Sequence, residues 1–174
     1  MSGKIKYGWL LLFCWLLASA CGSPNNNHRK IFHYNEHSGI TSLDPAFAKS
    51  QALMWPAHQL FNTLVEVNDS LRIVPSLAKR WIVSPDRLTY TFYLRNDVFF
   101  QDDAAFPNNI GRKLTAKDIE FSLSRIIDKK LASPGAWIFN GKVDSIQPFN
   151  AIDDTTFALK LLRPYNPILG ILSM

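Results

Sequence analysis

The side chains able to do chemistry are few and poorly spaced for catalysis. His33 and His37 stand four apart, a separation that lets two imidazoles share a metal when both ride one helix face. Here the composition is that of a strand running into a loop, which does not align the two rings, and no third ligand follows. Neither a metal site nor a cofactor is expected. Asp102-Asp103 and Asp153-Asp154 are adjacent carboxylates. An acid–base pair must face across a scissile bond, which sequence neighbours do not, and both pairs sit in turn composition, where aspartate is at home. The sequence has no nucleophile elbow, no phosphate-cradling glycine loop and no Cys/His constellation. These residues give an enzyme nothing to work with.

The cysteines point elsewhere. Cys14 lies inside the apolar run Trp9–Leu17; Lys4 and Lys6 precede that run and Ala18-Ser19-Ala20 follow it. Basic start, apolar stretch and small residues, in that order, make a secretion signal. A membrane-crossing helix needs ~20 apolar residues, more than this run supplies. Leu17-Ala18-Ser19-Ala20-Cys21 resembles a bacterial lipobox, whose cysteine is acylated and becomes the new N-terminus. It departs in one respect: the bulky aliphatic stands four residues before the cysteine rather than three. The competing reading is plain cleavage, with Cys21 an incidental thiol. Because Cys14 leaves with the leader, no pair remains for a disulfide or a metal.

The 174 residues carry a formal net charge of +5, and losing Lys4 and Lys6 with the leader brings it close to ordinary. The bases are scattered, so no nucleic-acid footprint is present. What remains after the leader, about 150 residues, is enough to bury one core.

The elements that would position any site follow from periodicity and breakers. Ser23 to His28 is polar and breaker-rich, a tether. Lys30 to Asn35 reads as a first strand, followed by a polar loop. Gln51 to Phe61 is helical in composition, with Pro56 expected in its first turn or breaking it. Leu64 to Val67 reads as a strand closed at Asn68-Asp69, and Pro75 to Ala78 as one helical turn leading to Trp81. The clearest β signal comes after the turn Ser84-Pro85-Asp86-Arg87, where Leu88, Tyr90, Phe92 and Leu94 alternate with polar or half-polar neighbours. Asp97 to Phe100 continues as an irregular edge, and Gln101 to Arg112 forms a loop. Thr115 with Asp118 resembles a capping box. It opens a helix with Ala116, Ile119, Leu123, Ile126 and Ile127 on one face, expected to stop at Pro134-Gly135. Val143 to Ile146 and Phe157 to Leu161 read as further strands with Asp153-Asp154 turning between them. Asn166-Pro167 reads as N-cap and first helical residue. The apolar, uncapped run to Met174 reads as a truncation.

The order of motifs resembles the N-terminal third of family 5 extracellular solute-binding proteins, the peptide/nickel type of ABC importer. The residues that carry the likeness are Leu43-Asp44-Pro45, Leu60 to Val65, Val74 to Trp81, Ser84-Pro85-Asp86 through Arg95 and ending at Val98-Phe99-Phe100, Leu114 to Leu123, and Thr156-Phe157 with Leu161 to Tyr165. The loop from Ala104 to Ile110 is longer than the family's usual link.

The resemblance implies a mixed α/β (α+β) fold of the type II periplasmic-binding-protein kind, N-terminal portion only, with the second lobe missing. It implies a signal peptide over 1–20, a tether over 21–29, the start of lobe one over 30–50, a grafted domain over 51–142 and a return segment over 143–174. It also implies a lipoprotein attached through Cys21, monomeric, on the periplasmic side of the bacterial envelope. Such a protein captures peptides or other small solutes and hands them to ABC permease subunits. By the same likeness, Asn35, Glu36 and His37 after the first strand, and Trp137 after the long helix, are ligand-binding candidates. Glu36 would pair with a cationic group such as a peptide amine; the competing reading is a solvated loop acid. Trp137 would stack on a ligand; the competing reading is core packing. Without the opposing lobe, tight binding is not expected. The rival functions are a lipid-anchored interaction or structural protein, a secreted hydrolase, or a gene fragment without function.

Overall fold

A computed structural model of the chain describes residues 33, 35 and 39–174. The secretion signal, Cys21, the tether and most of the expected first strand lie outside the described residues. Residues 39–174 belong to one compact unit.

The unit opens with a short 3₁₀ turn at Pro45–Phe47 and helix α1 at Gln51–Leu60. Pro56 sits inside α1 rather than in its first turn, correcting the expectation. Its ring is buried together with Leu53 and Ala57, and this packing holds the helix together where the Ala52 carbonyl loses its N–H partner. Strands β1 (Val65–Val67) and β2 (Ile73–Pro75) then pair as an antiparallel hairpin. Asn68 closes it, its side-chain oxygen accepting from the N–H groups of Ser70 and Arg72. This is the local hydrogen bonding that makes asparagine a turn residue.

The expected helical turn at Pro75–Ala78 is absent. Strand β3 (Ala78–Val83) begins there instead, because the N–H groups of Leu77 and Ala78 find the carbonyls of Thr63 and Leu64. Strand β4 (Thr89–Leu94) returns from the Ser84–Arg87 turn and alternates as expected: Tyr90, Phe92 and Leu94 are buried while their neighbours are half-buried. Helix α2 (Ala116–Ile127) comes after the long loop. Asp118 reaches back to accept from the Thr115 N–H (2.8 Å) and hydroxyl (3.0 Å), so the capping box is present. The helix stops at Ile127, short of Pro134-Gly135, and a series of turns carries the chain on.

The two last strands are β5 (Phe149–Asp153) and β6 (Thr156–Lys160), succeeded by the short helix α3 (Ile168–Ile171). Val143–Ile146 is not a strand. Val143 makes a single bridge to Leu161, and Asp144 bends the next residues into a turn by accepting from the N–H groups of Ile146 and Gln147. Pro167 sits one position ahead of α3, where the first helical place was expected.

The main sheet has the order β3-β4-β6-β5 and is antiparallel throughout. Strands from before and after position 143 therefore share one sheet. Register sets Trp81 opposite Phe92 and Phe92 opposite Phe157, so three aromatics cross the sheet in a row. Ring centroids along that row are 6.5 and 6.2 Å apart, and Phe149 and Phe139 extend it at 6.5 and 5.2 Å. Such cross-strand aromatic pairs hold register as well as burying area. Helix α2 lays Ala116 and Ile119 onto this core, with Leu123, Ile126 and Ile127 behind them. The helix is anchored at its start by the Ala116 N–H, which donates to the Asp154 carbonyl at the β5–β6 turn (2.9 Å).

Candidate functional site

A long-range polar tie lies where the segment before α1 meets α2. Asp44 caps the 3₁₀ turn by accepting from the Ala46 N–H at 3.0 Å. The same carboxylate takes two bonds from the Arg125 guanidinium, at 3.1 and 2.7 Å, across a sequence separation of 81 residues. Arg125 holds the Asp44 carboxyl below its ordinary value, with the Ala46 N–H helping and partial burial opposing. A second tie runs beside the first: the buried Ser133 hydroxyl donates to the Ala46 carbonyl at 2.6 Å and accepts from the Gly135 N–H at 3.1 Å. Two fixed points thus strap residues 44–46 to α2 and to the turns after it.

Between the strapped segments lies a cleft of about 350 Å³. Thr41, Ser42, Phe47 and Lys49 line one side, and Ala132 and Pro134 the other. A more open groove of about 560 Å³ runs between the end of α2 and residues 145–149, and it touches none of the residues expected to bind ligand.

Trp137 stands in the 3₁₀ turn Ala136–Ile138 and is 69% exposed, so its ring is not core packing. Lys142 braces that turn, donating to the carbonyls of Trp137 and Ile138 at 2.9 Å each. Its ammonium lies 5.6 Å from the ring centres of both Trp137 and Tyr165, within cation–π range. Trp137 is therefore presented on a braced turn with a cation at its side. Of the other candidates, Asn35 is exposed, while Glu36 and His37 lie outside the described residues.

The acid pairs serve turns. Asp102 accepts from the Gly111 N–H and Asp103 from that of Ala105, both at 2.9 Å; Asp153 accepts from the Thr155 N–H at 2.7 Å. Among the described residues no group of three or more His, Cys, Asp or Glu side chains converges on a metal position. Among them, too, no helix is long and apolar enough to cross a membrane. Arg125, Ser133 and Lys142 escaped the sequence reading. Nothing local marks them, because their partners are carbonyls or lie far along the chain.

Residues 72–174 match the family described as bacterial extracellular solute-binding proteins, family 5 Middle. The Dipeptide-binding protein of Escherichia coli is 34% identical over 125 residues, covering 66% of this chain and 23% of its own length. The peptide transport periplasmic protein SapA of Salmonella typhimurium is 31% identical, covering 76% and 26%. Among solved structures, the periplasmic binding protein DppA of Helicobacter pylori, in complex with peptide STSA, superposes with a TM-score of 0.66 at 33% identity. That match covers 78% of this chain and 28% of DppA. The chain thus spans about a quarter of the length of these relatives. Mixed helix-and-sheet architecture and this superposition place it in the type II periplasmic-binding-protein class. The chain belongs to family 5 of the bacterial extracellular solute-binding proteins, a family of transport binding proteins and not of enzymes.

Proposed function

We propose that this chain is the front part of a solute-binding lipoprotein that captures oligopeptide-like solutes outside the cytoplasmic membrane and delivers them to an ABC permease. The observation that carries the reading is the family match over residues 72–174 together with relatives named for dipeptide binding and peptide transport. The leader and Cys21 support secretion and a lipid tether on the periplasmic side of the envelope. The protein works as a monomer. Residues 30–50 open its first lobe. Strands on both sides of the division expected at 142/143 share one sheet and one core, so that division falls away, and residues 51–174 are one body that an opposing lobe closes against over the solute. Closure follows from differential affinity: a solute touching both sides stabilises the closed state by as much as it binds that state better. Asn35, Glu36, His37 and Trp137 are its contacts on this side, with the amine of a peptide facing Glu36. ATP is spent by other subunits, and no cofactor takes part.

Deleting the gene from its host tests this. Uptake of a radiolabelled tripeptide should fall and return on complementation; uptake unchanged across a panel of di- to pentapeptides would sink the reading.

A further inference from the structure

Among the described residues the main sheet ends in β3, taken at its start by the Leu64 carbonyl, and in β5, and an open edge is a template for a second copy of the chain. At β5 the register fixes which backbone groups face outward. The Lys160 N–H donates to the Pro148 carbonyl at 2.9 Å, so positions 148 and 160 form a hydrogen-bonded pair, and Asn150 with Ala158 is the next. In an antiparallel ladder the residues between such pairs turn their N–H and C=O away from the partner. Ala151 is one of them. Its outward N–H is not left open: the Glu120 carboxylate, projecting from α2 across β5, accepts it at 3.2 Å. The exposed side chain of Ile152 comes next on the same strand, so this edge carries apolar surface as well as polar backbone.

From this geometry we infer that Glu120 is an edge plug, which keeps β5 from pairing with β5 of a second copy. A carboxylate only accepts hydrogen bonds, so at the edge it takes the donor an incoming strand would use and puts a negative charge where that strand's carbonyl must come. Two copies meeting edge to edge about a two-fold axis would also bring two Glu120 carboxylates together. The irregular pairing between Ala151 and Asp153 bends the end of the strand and works in the same sense. The far edge is guarded by other means. β3 is bulged between Ala78 and Arg80 and presents exposed Lys79 and Arg80. Each edge carries a charge and an irregularity, the two devices by which natural sheets stay unpaired.

The test compares the full chain with Glu120→Ala, Glu120→Gln and the double variant Glu120→Ala/Ala151→Pro. Alanine is the best helix former, so the first change leaves α2 intact. In Glu120→Ala the Ala151 amide should exchange with solvent about tenfold faster in dilute solution, as a freed edge group does. Sedimentation velocity should then show a dimer that grows with concentration and is absent from the parent chain. Glu120→Gln keeps an acceptor oxygen and should sediment as the parent does. Proline at 151 deletes the N–H that faces the edge, and the double variant should return to the parent distribution. Glu120→Ala sedimenting like the parent overturns the inference. So does a dimer that survives Ala151→Pro, because the association would then lie elsewhere.

Discussion

Two residues show how closely local chemistry is fitted to this fold. Gly111 sits where the chain returns beside Phe100, whose N–H donates to the Arg112 carbonyl at 2.9 Å. A Cβ built on Gly111 would collide with the Phe100 carbonyl oxygen and stand 2.7 Å from that of Gln101. Backbone cannot yield as a flexible side chain would. Gly111→Ala should therefore cost about 1–3 kcal/mol, read as a lower urea midpoint at unchanged slope. Asp44 makes a different prediction. Its carboxyl is held below the ordinary 3.8 by Arg125, so the pair contributes stability above that value and loses it as pH falls through the lowered folded value. Asp44→Asn should destabilise the chain at neutral pH, and the gap between variant and parent should close in acid. A gap independent of pH would mean that the charge on Asp44 is not what matters.

At the scale of elements, α1 carries an unusual cost. Pro56 lies in its interior, where proline forfeits a backbone hydrogen bond. Pro56→Ala should raise the thermal midpoint, adding about 1–2 kcal/mol once lost ring packing offsets part of the ~3 kcal/mol an interior proline costs. Which elements the sequence made legible depends on the range of the forces that define them. β4 was readable because its buried face alternates within the strand itself, and α2 because its cap and apolar stripe are both local. The start of β3 was not, since Leu77 and Ala78 are drawn into extended form by carbonyls at Thr63 and Leu64. Val143–Ile146 misled because its apolar ends look like a strand, while Asp144 between them spends its side chain on a turn. The Asp44–Arg125 tie was invisible for the same reason: 81 residues separate its halves, and each alone is an ordinary surface charge. For Trp137 the sequence leaves stacking on a ligand and core packing both open, and only the fold decides that its ring stands in solvent with Lys142 beside it.

At the scale of the molecule, the sheet, its aromatic row and α2 share one core among the described residues, with one strapped cleft and one braced aromatic turn at its surface. On the proposed reading, in which a second lobe closes over the solute, a pre-organised face on this side loses less in ordering on contact than a soft one. The proposed lipid attachment at Cys21 has its own test. In a bacterial host, Cys21→Ser should abolish incorporation of labelled palmitate and move the protein from the membrane fraction to the soluble one. The central claim, capture of peptides, is met most directly by native mass spectrometry of the intact gene product titrated with a defined mixture of di- to pentapeptides. A family 5 binding protein predicts adducts at peptide masses that saturate at one per molecule and survive buffer exchange. A spectrum showing only the bare protein at every peptide concentration would contradict it.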